Sequence, residues 1–160
     1  MELQLREPAH RVSPKAPLVW CLGGFLTEAL IAGAVVGAVV IWDLPVPLWL
    51  WVGYGVLAAI YLVAMPWLRW RTHRWETTDK AVYTQTGWLS RERRLAPMSR
   101  VQTVDFEQSA LARAFGLASV TVTTASAQGP LHLRMLDRDV AERVVAELTH
   151  RANLETGDAT

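Results

Sequence analysis

Two stretches decide the fold: Leu18 to Trp42, LVWCLGGFLTEALIAGAVVGAVVIW, and Leu48 to Leu68, LWLWVGYGVLAAIYLVAMPWL. The first runs 25 residues with a single charge, Glu28, and the second runs 21 with none. At about 1.5 Å of rise per residue, each crosses about 30 Å of hydrocarbon as a helix. A secretory signal competes for the first run, with Ala32-Gly33-Ala34 as its small-residue site. The apolar character continues to Trp42, however, well past a signal core of about 7 to 15 residues, so the run reads as an uncleaved anchor. Only Asp43-Leu44-Pro45-Val46-Pro47 separates the two, too short to fold and broken by proline, so they form an antiparallel membrane hairpin.

Outward from the hairpin, the indoles support it. Trp20 and Trp42 bracket the first run, Trp49 and Trp51 open the second, and Trp67 and Trp70 close it, as expected of belts at the headgroup level. Arg6, Arg11 and Lys15 precede the hairpin and Arg69, Arg71 and Arg74 follow it, while the turn has no basic residue. That asymmetry predicts both termini in the cytoplasm. Ala29, Gly33 and Gly37 recur every four residues, as do Gly55 and Ala59, giving small faces for helix packing within the chain or in a homo-oligomer. Glu28 lies about 12 Å below Trp20 by helical rise. Folding about Pro45 brings Tyr61 to its level, and Tyr61 is the expected hydrogen-bond partner of a protonated Glu28.

The 160 residues are 51% hydrophobic and 19% charged, with net charge +1. This excludes a disordered chain and a dedicated nucleic-acid binder. An ordinary domain carries about 25% charge; the deficit sits in residues 18–68, where Glu28 and Asp43 are the only charges. Cys21 is the single thiol, so no intrachain disulfide or cysteine metal cluster can form. His10, His73, His132 and His150 lack metal-ligand spacing, and no metal or other cofactor is expected.

After Trp70 the pattern becomes short alternating stretches rich in Thr, Val and Arg, predicting strands near 70–78, 81–87, 89–96, 100–108, 117–125 and 129–135. Thr78-Asp79-Lys80, Gly87 and Gln128-Gly129-Pro130 supply turns. Ser109 to Gly116 reads as a helical turn with Leu111 and Phe115 on one face, plugging an open end of the sheet. From Asp139 a final helix presents Val140, Val144, Val145 and Leu148 as one apolar stripe. The predicted boundaries are a cytoplasmic N-terminal segment (1–17), helices 18–42 and 48–68 joined by 43–47, a cytoplasmic domain (69–151) and a flexible tail (152–160). An OB-like barrel would place its main helix between middle strands, whereas here the best amphipathic helix comes last.

Two blocks in this half carry a resemblance. Pro97-Met98-Ser99-Arg100-Val101-Gln102-Thr103-Val104 leads through Leu111-Ala112-Arg113-Ala114-Phe115-Gly116-Leu117-Ala118 to Val120-Thr121-Val122-Thr123-Thr124-Ala125. With the preceding hairpin and the last helix, residues 65–150 resemble the bacterial pleckstrin-homology (PH) domain membrane proteins of the YdbS-like type. The resemblance implies a bacterial cell-membrane protein with an α+β PH-like fold, an antiparallel, partly open β-barrel of six or seven strands closed by the C-terminal helix. It also implies no enzymatic activity. Such proteins commonly show Gly-Leu before the final helix; here Met135-Leu136 stands there, which puts the turn geometry at that point in question.

No catalytic constellation appears: Ser90, Ser99 and Ser109 have no His and acid in a recognisable pattern, and no glycine-rich phosphate loop exists. Arg91, Arg93 and Arg94 form the densest basic run, with Arg91 and Arg93 on one face of a strand. Together with Arg69, Arg71 and Arg74 they are candidate contacts for lipid or a partner, although residues 69–160 hold 13 basic against 11 acidic side chains. The leading expectation is a scaffold or assembly module that offers a sheet edge to a membrane-protein partner, such as one with a related PH-like domain. The alternative is an anionic-lipid headgroup sensor using the basic strand. A third, a small transporter or channel subunit, rests on Glu28 and the glycine faces.

Overall fold

The computed structural model describes residues 7–87, 90–126 and 129–157, the last five of these as backbone only. Two long helices, α1 (Ala16–Ile41) and α2 (Leu48–Thr72), pack as an antiparallel hairpin. The turn follows from chemistry at the end of α1. Asp43 adopts a left-handed φ of 47°, and the Leu44 N–H reaches back 3.0 Å to the Val39 carbonyl, satisfying a helix-end acceptor as glycine usually does. Large apolar side chains cover the outside of both helices, with Leu30 76% and Leu48 77% exposed. A water-soluble surface does not tolerate so wide an apolar area, and lipid is the solvent that does.

Below the hairpin, β1 (His10–Arg11), β2 (Arg74–Thr77), β3 (Ala81–Thr86) and β4 (Glu92–Pro97) form one antiparallel sheet in that order. A 3-10 turn, Met98–Arg100, leads to a second sheet of β5 (Val101–Glu107), β6 (Leu117–Thr124) and β7 (Leu131–Asp137). Between β5 and β6 lies the short helix α3 (Ala110–Ala114), capped by the Ser109 hydroxyl, which accepts from the Ala112 N–H at 3.2 Å. The last helix, α4 (Arg138–Gly157), begins directly after β7. Among the described residues the seven strands remain two sheets, and the barrel is not closed.

The main core lies between the sheets and α4. Val120, Val122, Leu131, Leu133 and Leu136 meet Ala141, Val144 and Leu148 of the lid, each side chain contributing about 1.5–3 kcal/mol when fully buried. A second, smaller cluster joins Val19 of α1 to Ala112 and Leu117, with Leu111 and Phe115 packed against it. The end of the sheet that α3 plugs is therefore the end facing the hairpin.

Several boundaries and one tryptophan placement differ from expectation, for identifiable reasons. Helix α2 runs to Thr72, so residues 70–72 are helical and the first domain strand starts at Arg74. Domain contacts hold that last turn: the Thr72 hydroxyl donates to the Gly87 carbonyl, and the buried Gln85 amide donates to the Thr72 carbonyl at 3.0 Å. The N-terminal stretch is part of the domain rather than a separate segment. Its β1 pairs His10 with Trp75, its Ala9 N–H donates to Glu76, and its Ser13 hydroxyl donates to Asp137 at 2.9 Å. Helix α4 continues to Gly157, into the stretch expected as a tail. Trp20 and Trp70 sit at the hairpin base but pack against the domain core instead of standing free in a belt.

Met135 is the notable backbone position. Its φ is 57°, within an irregularity where Ala118 faces Leu136 but Val120 faces Leu133. This left-handed bulge is where glycine would be favoured, and it is the position of the Met135-Leu136 departure.

Candidate functional site

The membrane-facing end of the domain holds a cavity of about 390 Å³ where four elements converge. Helix α2 contributes Met65 and Arg69, four apart on one face, and His73 follows as its C-cap residue. Strand β3 contributes Thr84 and Thr86, β4 Glu92 and Arg94, and β7 His132 and Arg134, each pair two apart and on one side of its strand. Three arginines thus face a single carboxylate.

Their fixation differs. Arg94 is tied down: one Nη donates to the Pro130 carbonyl at 2.8 Å, the other to the Gly129 carbonyl at 3.2 Å, and Nε lies 3.8 Å from Glu92. It thereby clips β4 to the loop entering β7. Arg69 lies 4.7 Å over the Trp20 ring, and its Nε approaches His73 Nε2 at 3.5 Å. Arg134 has no hydrogen-bond or ion-pair partner among the described residues.

Both histidines are set up as neutral rings. His73 is buried, its Nδ1 lies 2.8 Å from the Arg69 carbonyl, and the other nitrogen faces the Arg69 guanidinium. That arrangement requires Nδ1–H as donor and a bare Nε2. Burial, reinforced by the Arg69 charge, pushes the His73 imidazole down to about 4. His132 is also lowered, by burial and then by Arg134; its Nδ1 is 3.1 Å from the Thr121 hydroxyl, which itself donates to Glu107. The permanent charges of the cavity are therefore those of the arginines and Glu92. Guanidinium groups offer forked N–H donors that match phosphate or carboxylate oxygens.

On the other side of Met65 and Arg69, which line both spaces, lies a groove of about 380 Å³ between the hairpin base and α3. Trp20, Gly23, Thr27, Tyr61, Leu62 and Leu111 are among its walls. Gly24 makes the close helix approach: a Cβ there would sit 3.0 Å from Leu62 Cδ2, whereas one on Gly23 would touch only Leu111 at 4.0 Å.

Of the six arginines singled out in the sequence, the cavity gathers Arg69 and Arg94. Arg71 stacks 4.6 Å over Trp67, and Arg74 donates to the Pro8 carbonyl. Arg91, Arg93 and Arg94, named as candidate lipid or partner contacts, are each engaged within the chain. Arg91 and Arg93 each lie 3.5 Å from Glu7, and Arg93 donates to buried Gln85 at 2.8 Å, because the N-terminal stretch folds against this sheet. The partner of Glu28 is corrected: Tyr54, not Tyr61, donates to its carboxylate at 2.7 Å. Tyr54 is two helical turns nearer the loop on the same α2 face as Tyr61. The long side chains span that offset, while Tyr61 lines the groove. The small-residue faces do not form the seam inside the hairpin. Around Gly33, Gly37 and Gly55 a Cβ would meet nothing within 4 Å, and Ala29 and Ala59 are exposed.

Sequence reasoning missed His73, His132 and Arg134. The signals were the i, i+4 spacing of Arg69 and His73 and the i, i+2 spacing of His132 and Arg134, each placing two groups on one face. Only the fold turns those two faces toward each other.

Comparison with known proteins agrees with this architecture. The family described as bacterial PH domain matches residues 21–152, which takes in most of the hairpin as well as the sheets and lid. The chain is 27% identical over 161 residues to the UPF0699 transmembrane protein YdbS of Bacillus subtilis (strain 168), covering 95% of this chain and 98% of that one. No solved structure matches significantly. With two apolar helices, antiparallel sheets, a C-terminal helical lid and a family match over most of its length, the chain belongs to the bacterial PH domain family.

Proposed function

We propose that the protein is a non-enzymatic, hairpin-anchored module at the cytoplasmic face of the cell membrane, whose junction cavity binds a phosphate-type anion. The observation that carries this reading is the convergence of Arg69, Arg94 and Arg134 on one space with Glu92 as the only acidic lining residue among the described residues. Arg134, exposed and without a protein partner among the described residues, can turn its guanidinium to an anion there, at about 1.5–3 kcal/mol per charge-assisted hydrogen bond. The cytoplasmic orientation is supported by Arg11, Lys15, Arg69, Arg71 and Arg74 at the hairpin base, against Asp43 as the sole charge in the turn.

Calorimetric titration of the full chain in detergent micelles with inorganic phosphate tests it. Arg134→Gln is expected to weaken binding about tenfold or more. Equal affinity of wild type and variant refutes the site.

A scaffold role is favoured by a different observation: β5 ends its sheet and carries exposed Thr103, Asp105, Phe106 and Glu107, an edge to which an extended partner segment can pair. Affinity purification from native membranes that returned only the chain itself would remove that reading. The transporter reading is weaker, since Glu28 is already hydrogen-bonded to Tyr54.

A further inference from the structure

Resting on the anion-binding reading, we infer that the occupant is an anionic phospholipid, seated with its phosphate in the arginine cavity and an acyl chain in the adjoining groove. The two spaces share Met65 and Arg69 as a common wall, one cationic and one largely apolar. Each volume is within the range of small-molecule sites. A lone phosphate would need only the first.

The position in the fold selects a membrane lipid. The groove lies at the hairpin base, where Arg69 is stacked on Trp20 and Arg71 on Trp67, the level at which indoles and arginines anchor a membrane protein. Above it, the outward side chains Phe25, Leu26 and Leu30 are exposed and belong to the hydrocarbon. A lipid lying against the hairpin therefore has its phosphate at the height of Arg69 while its chain runs toward the bilayer centre. The groove is also built open. Gly24 is packed tightly on Leu62, but Gly23 leaves free space that any larger side chain would fill.

The test uses the full chain, delipidated in a mild detergent and titrated with short-chain phosphatidylglycerol, phosphatidylcholine of equal chain length, and inorganic phosphate. Wild type is expected to bind phosphatidylglycerol about tenfold or more tightly than either of the others. Gly23→Leu fills the groove and is expected to abolish that advantage over phosphate while leaving phosphate affinity within about twofold. Thr27→Phe, one turn further along the same α1 face and exposed, is a second obstruction with the same expected result. Arg134→Gln should weaken both anionic ligands. If both groove variants keep the full lipid advantage, or if phosphatidylcholine binds as tightly as phosphatidylglycerol, the phospholipid seat is wrong and the anion site stands. If wild type binds neither phosphate nor phosphatidylglycerol, the anion reading itself fails and takes this inference with it.

Discussion

Replacing His73 with glutamine should flatten the acid limb of the domain's stability profile. In the folded protein His73 is 5% exposed, its Nδ1 2.8 Å from the Arg69 carbonyl and its Nε2 facing the Arg69 guanidinium, and its pKa is pushed to about 4 against 6.5 for a free imidazole. Because the folded value is the lower one, the unfolded chain binds more protons between these limits. Stability is therefore full above about pH 6.5 and falls as the pH drops toward 4. The full separation corresponds to at most about 3 kcal/mol, of which about 2 kcal/mol is lost by pH 5; solvent in the open cavity reduces the latter to about 1–2 kcal/mol. In a domain of this size that is a fall in Tm of roughly 5–10 °C. Glutamine keeps a donor and an acceptor but does not titrate. Thermal unfolding in detergent, followed by tryptophan fluorescence at pH 7.5 and pH 5, should show the excess acid loss in wild type and not in His73→Gln. Equal losses in the two proteins, or an NMR titration placing His73 near 6.5, would refute the assignment of a buried neutral ring.

Met135 has a left-handed φ of 57°, so Met135→Gly should melt higher than Met135→Ala, a pair that removes the same packing and leaves a backbone difference of about 1 kcal/mol. Gln85→Leu removes the partners of the Thr72 carbonyl and Arg93 Nε and should cost about 1–3 kcal/mol, with hydrogen exchange accelerating first at residues 70–73. Glu28→Gln retains an acceptor for the Tyr54 hydroxyl and should leave thermal stability in detergent almost unchanged. Glu28→Leu, which removes that acceptor, should cost about 0.6–1.7 kcal/mol.

Local chemistry made much of this architecture legible. Proline and the nearly charge-free runs announced the membrane hairpin, and Thr78-Asp79-Lys80 announced the turn between β2 and β3, which closes through the Thr78 N–H and the Ala81 carbonyl at 2.9 Å. The stripe of α4 was readable for the same reason, with Val144 and Leu148 buried as its period required. The sequence pointed to Tyr61 rather than Tyr54 as the partner of Glu28, since choosing between levels depends on how two helices are set against each other. The contacts of Arg91 and Arg93 with Glu7 were not legible because Glu7 is more than eighty positions away in the chain.

From sequence alone came the partition between lipid and water, the order of the elements and the face each presents, because hydropathy and periodicity are properties of neighbouring residues. Tertiary structure alone decided that the N-terminal stretch becomes a strand beside β2, that the sheets stay two, and that Arg69, Arg94 and Arg134 share one cavity. Those outcomes depend on which distant surfaces meet, and a charge does not reveal its neighbours until the backbone has brought them within a few ångströms.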